Sequence, residues 1–119
     1  MAGMVHIPFY ATVFRGDKLE AAVEEFAPIV LRYGATSYAV HRNLDDRYKI
    51  LFMAAFPDHH SWDRFLHGPE AIRFRAVNQS YYQVPLLYSW NDVTIEGYMD
   101  PERQRALSAE GDQVTGDIL

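Results

Sequence analysis

The sequence predicts an α+β fold: an antiparallel sheet with helices on one face, paired with a second copy into a barrel. Three observations predict it. Hydrophobic periodicity gives the order strand, helix, strand, strand, helices, strand, which is the βαββαβ arrangement of ferredoxin-like domains. The strand over 47–56 is apolar on both faces, with Tyr48, Ile50, Phe52, Ala54 and Phe56 on one and Leu51, Met53 and Ala55 on the other. An antiparallel sheet normally leaves one face to water. The helices of so short a chain cover only one face, so a homodimer is expected to cover the other. Finally, 119 residues that are 49% hydrophobic and 23% charged suffice for one folded domain with a small core. That domain is expected over 1–99, followed by a polar, acidic tail over 100–119.

The first strand spans 5–14. Val5, Ile7, Phe9, Ala11 and Val13 share one face, and His6, Pro8, Tyr10, Thr12 and Phe14 the other. Pro8 lacks an N–H, which predicts an edge strand or a bulge. Asp17 has the character of a helix N-cap, with Glu20 at capping-box spacing. Leu19, Ala22, Val23, Phe26, Ile29, Val30 and Tyr33 then repeat at helical spacing up to Gly34. This predicts a helix over 18–33, kinked near Glu24 because Pro28 removes one hydrogen bond. Residues 36–43 and 47–56 form a hairpin around the turn at 43–46. Asp58 caps a second helix whose buried stripe is Trp62, Phe65 and Leu66. Gly68-Pro69 ends it, and Pro69 starts a third helix running to about 83. Residues 84–98 return to strand, and the tail carries one helical turn near 101–108.

Composition excludes several classes. The chain has no Cys, so disulfide scaffolds, iron–sulfur clusters and thiol nucleophiles are ruled out. A net charge of −5 argues against nucleic acid as a partner. Every apolar run is shorter than a membrane span. The N-terminus lacks a signal-peptide pattern, so the expected location is cytoplasmic. No Gly-x-Gly-x-x-Gly, Walker loop, Gly-x-Ser-x-Gly or His-Glu-x-x-His is present, which removes support for nucleotide-cofactor folds, P-loop hydrolysis and serine hydrolysis.

Three sets of residues are candidates for chemistry. His60, Asp63 and His67 share a helix face and could ligate a metal, but that face lies opposite the apolar stripe and reads as solvated, so no metal is expected. His6, Tyr10 and Thr12 alternate on strand one, as Ser37, Ala39 and His41 do on strand two. If the apolar parity packs on helices, these groups point into the barrel, where an imidazole can take a phenolic or carbon-acid proton. The alternative is that they bond one another across the dimer interface. The third set is Phe74, Asn78, Tyr81, Tyr82, Tyr88 and Trp90, which reads mainly as packing. Arg73 and Arg75 flank it and could hold an anionic substrate edge.

The run from Tyr48 to Phe56, then Asp58, Trp62 and Phe65, then His67-Gly68-Pro69-Glu70-Ala71-Ile72, resembles the antibiotic-biosynthesis monooxygenase superfamily of dimeric α+β barrels. The resemblance covers about residues 4–98. It implies cofactor-independent oxidation of a phenolic, quinol or polyketide-like aromatic. On that reading His6, Tyr10 and His41 are the proton-handling residues, and Thr12, Trp62, Phe65, Phe74, Asn78 and Tyr81 bind the substrate. Loss of the Tyr10 hydroxyl is then expected to affect ligand more than folding. A polyketide cyclase on the same fold and a non-catalytic small-molecule-binding dimer are the alternatives. The haem-degrading branch of the superfamily holds iron with a His just after the Gly-Pro break. The matching stretch here, Ile72-Arg73-Phe74-Arg75-Ala76, has none, so no cofactor is expected.

Overall fold

The computed structural model describes residues 2–111. Strands β1 (Gly3–Tyr10), β2 (Ser37–Arg42), β3 (Lys49–Phe56) and β4 (Ser89–Asp92) form one sheet in the order β2-β3-β1-β4, antiparallel throughout. Helices α1 (Gly16–Phe26), α2 (His59–Leu66) and α3 (Pro69–Asn78) pack on one face of it. This is the ferredoxin-like α+β fold. A fourth helix, α4 (Pro101–Gly111), covers the expected turn near 101–108; the last eight residues of the predicted tail lie outside the described residues.

Parity determines the core. In register, Val5 faces Ala54, Ile7 faces Phe52 and Phe9 faces Ile50, and all six are buried under the helices. Leu19, Val23 and Phe26 of α1, Trp62 and Phe65 of α2, and Phe74 of α3 close over them. The opposite face carries Met4, His6, Pro8 and Tyr10 of β1, Leu51, Met53 and Ala55 of β3, and Ser37, Ala39 and His41 of β2. Several of these apolar groups are half-buried and none is covered by a helix.

Five local expectations are corrected. Pro8 is neither at an edge nor in a bulge: β1 is central, and Pro8 pairs with Leu51. The Ala11 N–H bonds the Tyr48 carbonyl of the β3 side, so alternation turns residue 8 toward β4, whose pairing stops at His6. The missing donor therefore costs no ladder bond. The predicted helix 18–33 does not merely kink. It ends at Phe26 and continues as a 3₁₀ segment, Ala27–Tyr33, because Pro28 cannot donate to Glu24 and the tighter i→i+3 pattern takes over. Gly34, at φ 95°, closes it. Asp17 is not the N-cap either; it lies in the first turn of α1, and its carboxylate accepts from Arg42 at 3.0 Å, as that of Glu20 does at 3.3 Å.

The third helix stops at Asn78 instead of about 83. Thr12 draws the chain away: its N–H bonds the Tyr81 carbonyl at 2.9 Å, its hydroxyl donates to the Ser80 carbonyl at 2.8 Å, and the Gln83 N–H reaches the Tyr10 carbonyl at 2.8 Å. The strand expected over 84–98 shrinks to Ser89–Asp92. Asp92 pairs with Gly3, the first residue of β1, so the alternating run over 93–98 passes the end of its partner. Gly3 also makes room for Trp90: a Cβ there would fall 2.1 Å from the indole.

Candidate active site

An aromatic cavity lies between the helix-facing side of β1 and the helices, with a volume of about 390 Å³. Ile7 and Phe9 form its floor. Trp62, Phe65 and Leu66 of α2 and Phe74 of α3 form its walls, and Phe26 closes one side. The irregular segment over 82–88 forms the roof through Tyr82, Val84, Leu86 and Tyr88. The sequence builds this roof because Thr12 ends α3 early and Pro85 cannot continue a helix. Tyr88 sets its ring edge against Trp62, with centroids 5.7 Å apart and planes at 65°, and so pins the strap to α2.

The lining is almost entirely apolar and aromatic, as small-molecule sites generally are. Among the described residues, the side chains with polar atoms that line it are Trp62, Tyr82, Tyr88, Gln79 and Arg75, with Arg75 the one charged residue. Arg75 is held by donation to the Leu66 carbonyl at 3.1 Å. Tyr82 is only 3% exposed, between Phe9 at 5.2 Å and Phe74 at 6.3 Å. Burial pushes its phenol pKa up, and the nearby Arg75 charge draws it partly back. Among the described residues, no His, Asp or Glu lines the cavity.

The sequence-predicted site residues divide between places. Trp62, Phe65 and Phe74 line the aromatic cavity together. His6, Tyr10 and His41 lie on the other face of the sheet, so within one chain they cannot share a ligand with those walls. The parity of the strands assigned the faces correctly, and the aromatic cavity lies on the face opposite His6, Tyr10 and His41. Tyr10 and His41 instead border a shallow recess with Leu51 and Lys49. The Tyr10 hydroxyl donates to Asp46 at 3.1 Å, and this bond to a carboxylate raises its pKa. Thr12 serves as the latch described above. Asn78 donates to the Phe74 carbonyl at 3.1 Å and faces a separate surface groove, and Tyr81 lies beneath Arg15, 5.6 Å from the ring centroid. Of the two flanking arginines, Arg75 enters the cavity and Arg73 borders the outer groove.

Sequence reasoning named Tyr82 and Tyr88 only as packing and missed Ile7, Phe9, Gln79 and Leu86. Ile7 and Phe9 were legible as helix-facing residues; what was not legible was that the helices leave space above them. On α2, the Asp63 carboxylate approaches His59 at 3.2 Å, and the ring of His67 turns to the Asp63 carbonyl at 3.0 Å. Among the described residues, no cluster of three or more His, Asp or Glu is placed to hold a metal. No helix among them is long and apolar enough to cross a membrane.

A four-stranded antiparallel sheet with helices on one face and an aromatic cavity between the layers defines an α+β fold shared with structures named antibiotic biosynthesis monooxygenases. No family model and no curated protein matches the sequence; the likeness is to solved structures. Rv0793 from Mycobacterium tuberculosis superposes with a TM-score of 0.73 at 14% identity, covering 82% of this chain and 100% of that one. A proposed antibiotic biosynthesis monooxygenase from Nitrosomonas europaea gives 0.71 at 9% identity, over 81% of this chain and 94% of the other. SnoaB, a cofactor-independent oxygenase from Streptomyces nogalater, gives 0.70 at 14% identity, over 80% and 95%. At these identities the likeness establishes the fold.

Proposed function

We propose that this chain is a cofactor-independent oxygenase of a phenolic, quinol or polyketide-like aromatic, working as a homodimer through the open face of its sheet. The observation that carries the reading is the aromatic cavity of about 390 Å³ between sheet and helices, walled by Trp62, Phe65 and Phe74. Flat walls of this kind suit a fused-ring ligand, and the volume lies within the range of about 300–1,000 Å³ of ordinary ligand sites. The shared fold with a structure named as a cofactor-independent oxygenase supports the same chemistry.

In such a reaction the substrate supplies the electrons. With an anthrone, the ring methylene loses a proton, the carbanion passes an electron to O₂, and the two radicals join in a C–O bond. The resulting hydroperoxide loses water to leave the quinone, so that anthrone and O₂ become anthraquinone and water. Apolar walls keep bulk water from the intermediates. Half-buried Leu51, Met53 and Ala55 on the open face support the dimer.

The test is an oxygen electrode with anthrone at neutral pH. Oxygen consumption matched by anthraquinone, and lost in Trp62→Ala, supports the reading. Ligand-induced melting shifts without any oxygen uptake would replace it with a binding protein.

A further inference from the structure

We propose that Tyr82 and Arg75 form an anchor that holds the ligand of the aromatic cavity as an anion, through a ring oxygen lying between the phenol hydroxyl and the guanidinium. The proposal rests on the reading of that cavity as a substrate site and adds how the site ionises its ligand.

Three observations carry it. The Tyr82 side chain is 97% buried by its 3% exposure, yet its hydroxyl has no hydrogen-bond partner among the described residues. No fully buried side-chain polar atom among them lacks a partner, so this hydroxyl is accessible, and its residue lines the cavity. An accessible hydroxyl beside an apolar cavity can donate to an acceptor on a bound ligand. Arg75 lines the same cavity with its guanidinium Nη1 donating to the Leu66 carbonyl, and its charge is felt at Tyr82. An Arg retains donors beyond the one used by that carbonyl.

The third observation is what the lining lacks. With no His, Asp or Glu among its residues, the cavity contains no conventional general base. A cation and a hydroxyl donor in an apolar chamber can do the same work from the other side. They lower the pKa of a ring hydroxyl by stabilising its anion, and the proton leaves to water. Among the described residues, no acid lines the cavity beside Arg75.

The experiment uses alizarin, a dihydroxyanthraquinone whose visible spectrum separates neutral from ionised forms and which is already fully oxidised. Titrated at a pH below the free dye's own ionisation, the wild-type protein should bind it with the absorption of the phenolate. Tyr82→Phe, which keeps the ring between Phe9 and Phe74, should weaken binding roughly ten- to a hundredfold, the range for a hydrogen bond to a charged group. Arg75→Gln should bind only the neutral dye, and Arg75→Lys should restore part of the phenolate band. Thermal melts accompany each variant. Should Arg75→Gln fail to fold, the lysine and phenylalanine variants still decide the matter. Binding of the neutral dye by wild type, no binding at all, or affinity and spectrum unchanged in all variants overturns the anchor. Anthrone assays separate the two readings. An intact anchor without oxygen uptake removes the oxygenase and leaves the anchor. Oxygen uptake indifferent to both residues does the reverse.

Discussion

Phe26 and Phe74 stack with ring centroids 4.3 Å apart and planes 16° from parallel, and the same two residues line both the interior cavity and a surface groove between α1 and α3. One pair of rings therefore stands between the two recesses. Phe74→Ala removes this wall and a buried ring together. It should destabilise the protein by ~3–5 kcal/mol, as buried Phe truncations do. Urea unfolding measures this. Ile72→Ala, two residues away but 53% exposed, should cost no more than ~0.5 kcal/mol. Equal losses in the two variants would contradict the assignment of Phe74 as a core wall.

Tyr88 is half exposed, and its main contact is the edge of Trp62. An aromatic pair of this kind contributes ~0.5–1.5 kcal/mol beyond its buried area. Tyr88→Ala should therefore lower stability only slightly while freeing the 83–88 strap. Stopped-flow measurement with bound alizarin should show faster dissociation, with the association rate little changed or raised. An unchanged dissociation rate would mean that the strap does not retain the ligand.

The Tyr10 hydroxyl is already engaged with Asp46, and its ring stacks on Tyr48 at 6.0 Å on the face away from the cavity. Tyr10→Phe should thus leave alizarin affinity unchanged, contrary to what the strand's sequence suggests. Calorimetric titration of the variant checks it, and a marked loss of affinity would return the open face to consideration as a ligand site.

Leu51 and Met53 occupy the centre of the open face. If the open face is the proposed dimer interface, Met53→Lys should weaken the dimer by burying a charge there. Light scattering should find wild type at twice the chain mass of 13.7 kDa and the variant at the chain mass. A monomeric wild type at micromolar concentration would refute the homodimer.

Asp58 caps α2 by accepting from the Ser61 N–H at 2.7 Å, and this bond holds its carboxyl pKa below the ordinary value. A carboxyl with a lowered folded-state pKa stabilises fully above its unfolded pKa, near 4, and loses that contribution as pH falls through the folded value. The bond from Tyr33 acts on Glu70 in the same direction. Thermal melts should therefore fall as the medium is acidified below about pH 4. In Asp58→Asn, which retains a capping oxygen without the titration, the fall should be smaller. The same acid slope in both proteins would exclude Asp58 from this role.

Much of the fold was legible because it rests on local rules. Alternation in β1 and β3 decided which residues face the helices, Asp58 announced the start of α2, and Gly68-Pro69 the break before α3. The errors fall where a distant partner overrules local preference. Thr12 and Tyr10 pull the 80–83 backbone out of a helix that its own residues would extend. The first residue of β1 limits β4, although 93–98 alternates like a strand.

The candidate site divides in the same way. Sequence alone determined the aromatic stock, the faces of the strands and the arginines flanking α3, since side-chain period and composition are properties of the chain. Only the tertiary structure decided that the helices stand off Ile7 and Phe9 and that the strap brings Tyr82 to the same cavity as Arg75. The physical reason is that a cavity is space left between elements. It depends on where hydrogen bonds distant in sequence end one helix and begin a strap, and no periodicity along the chain encodes that.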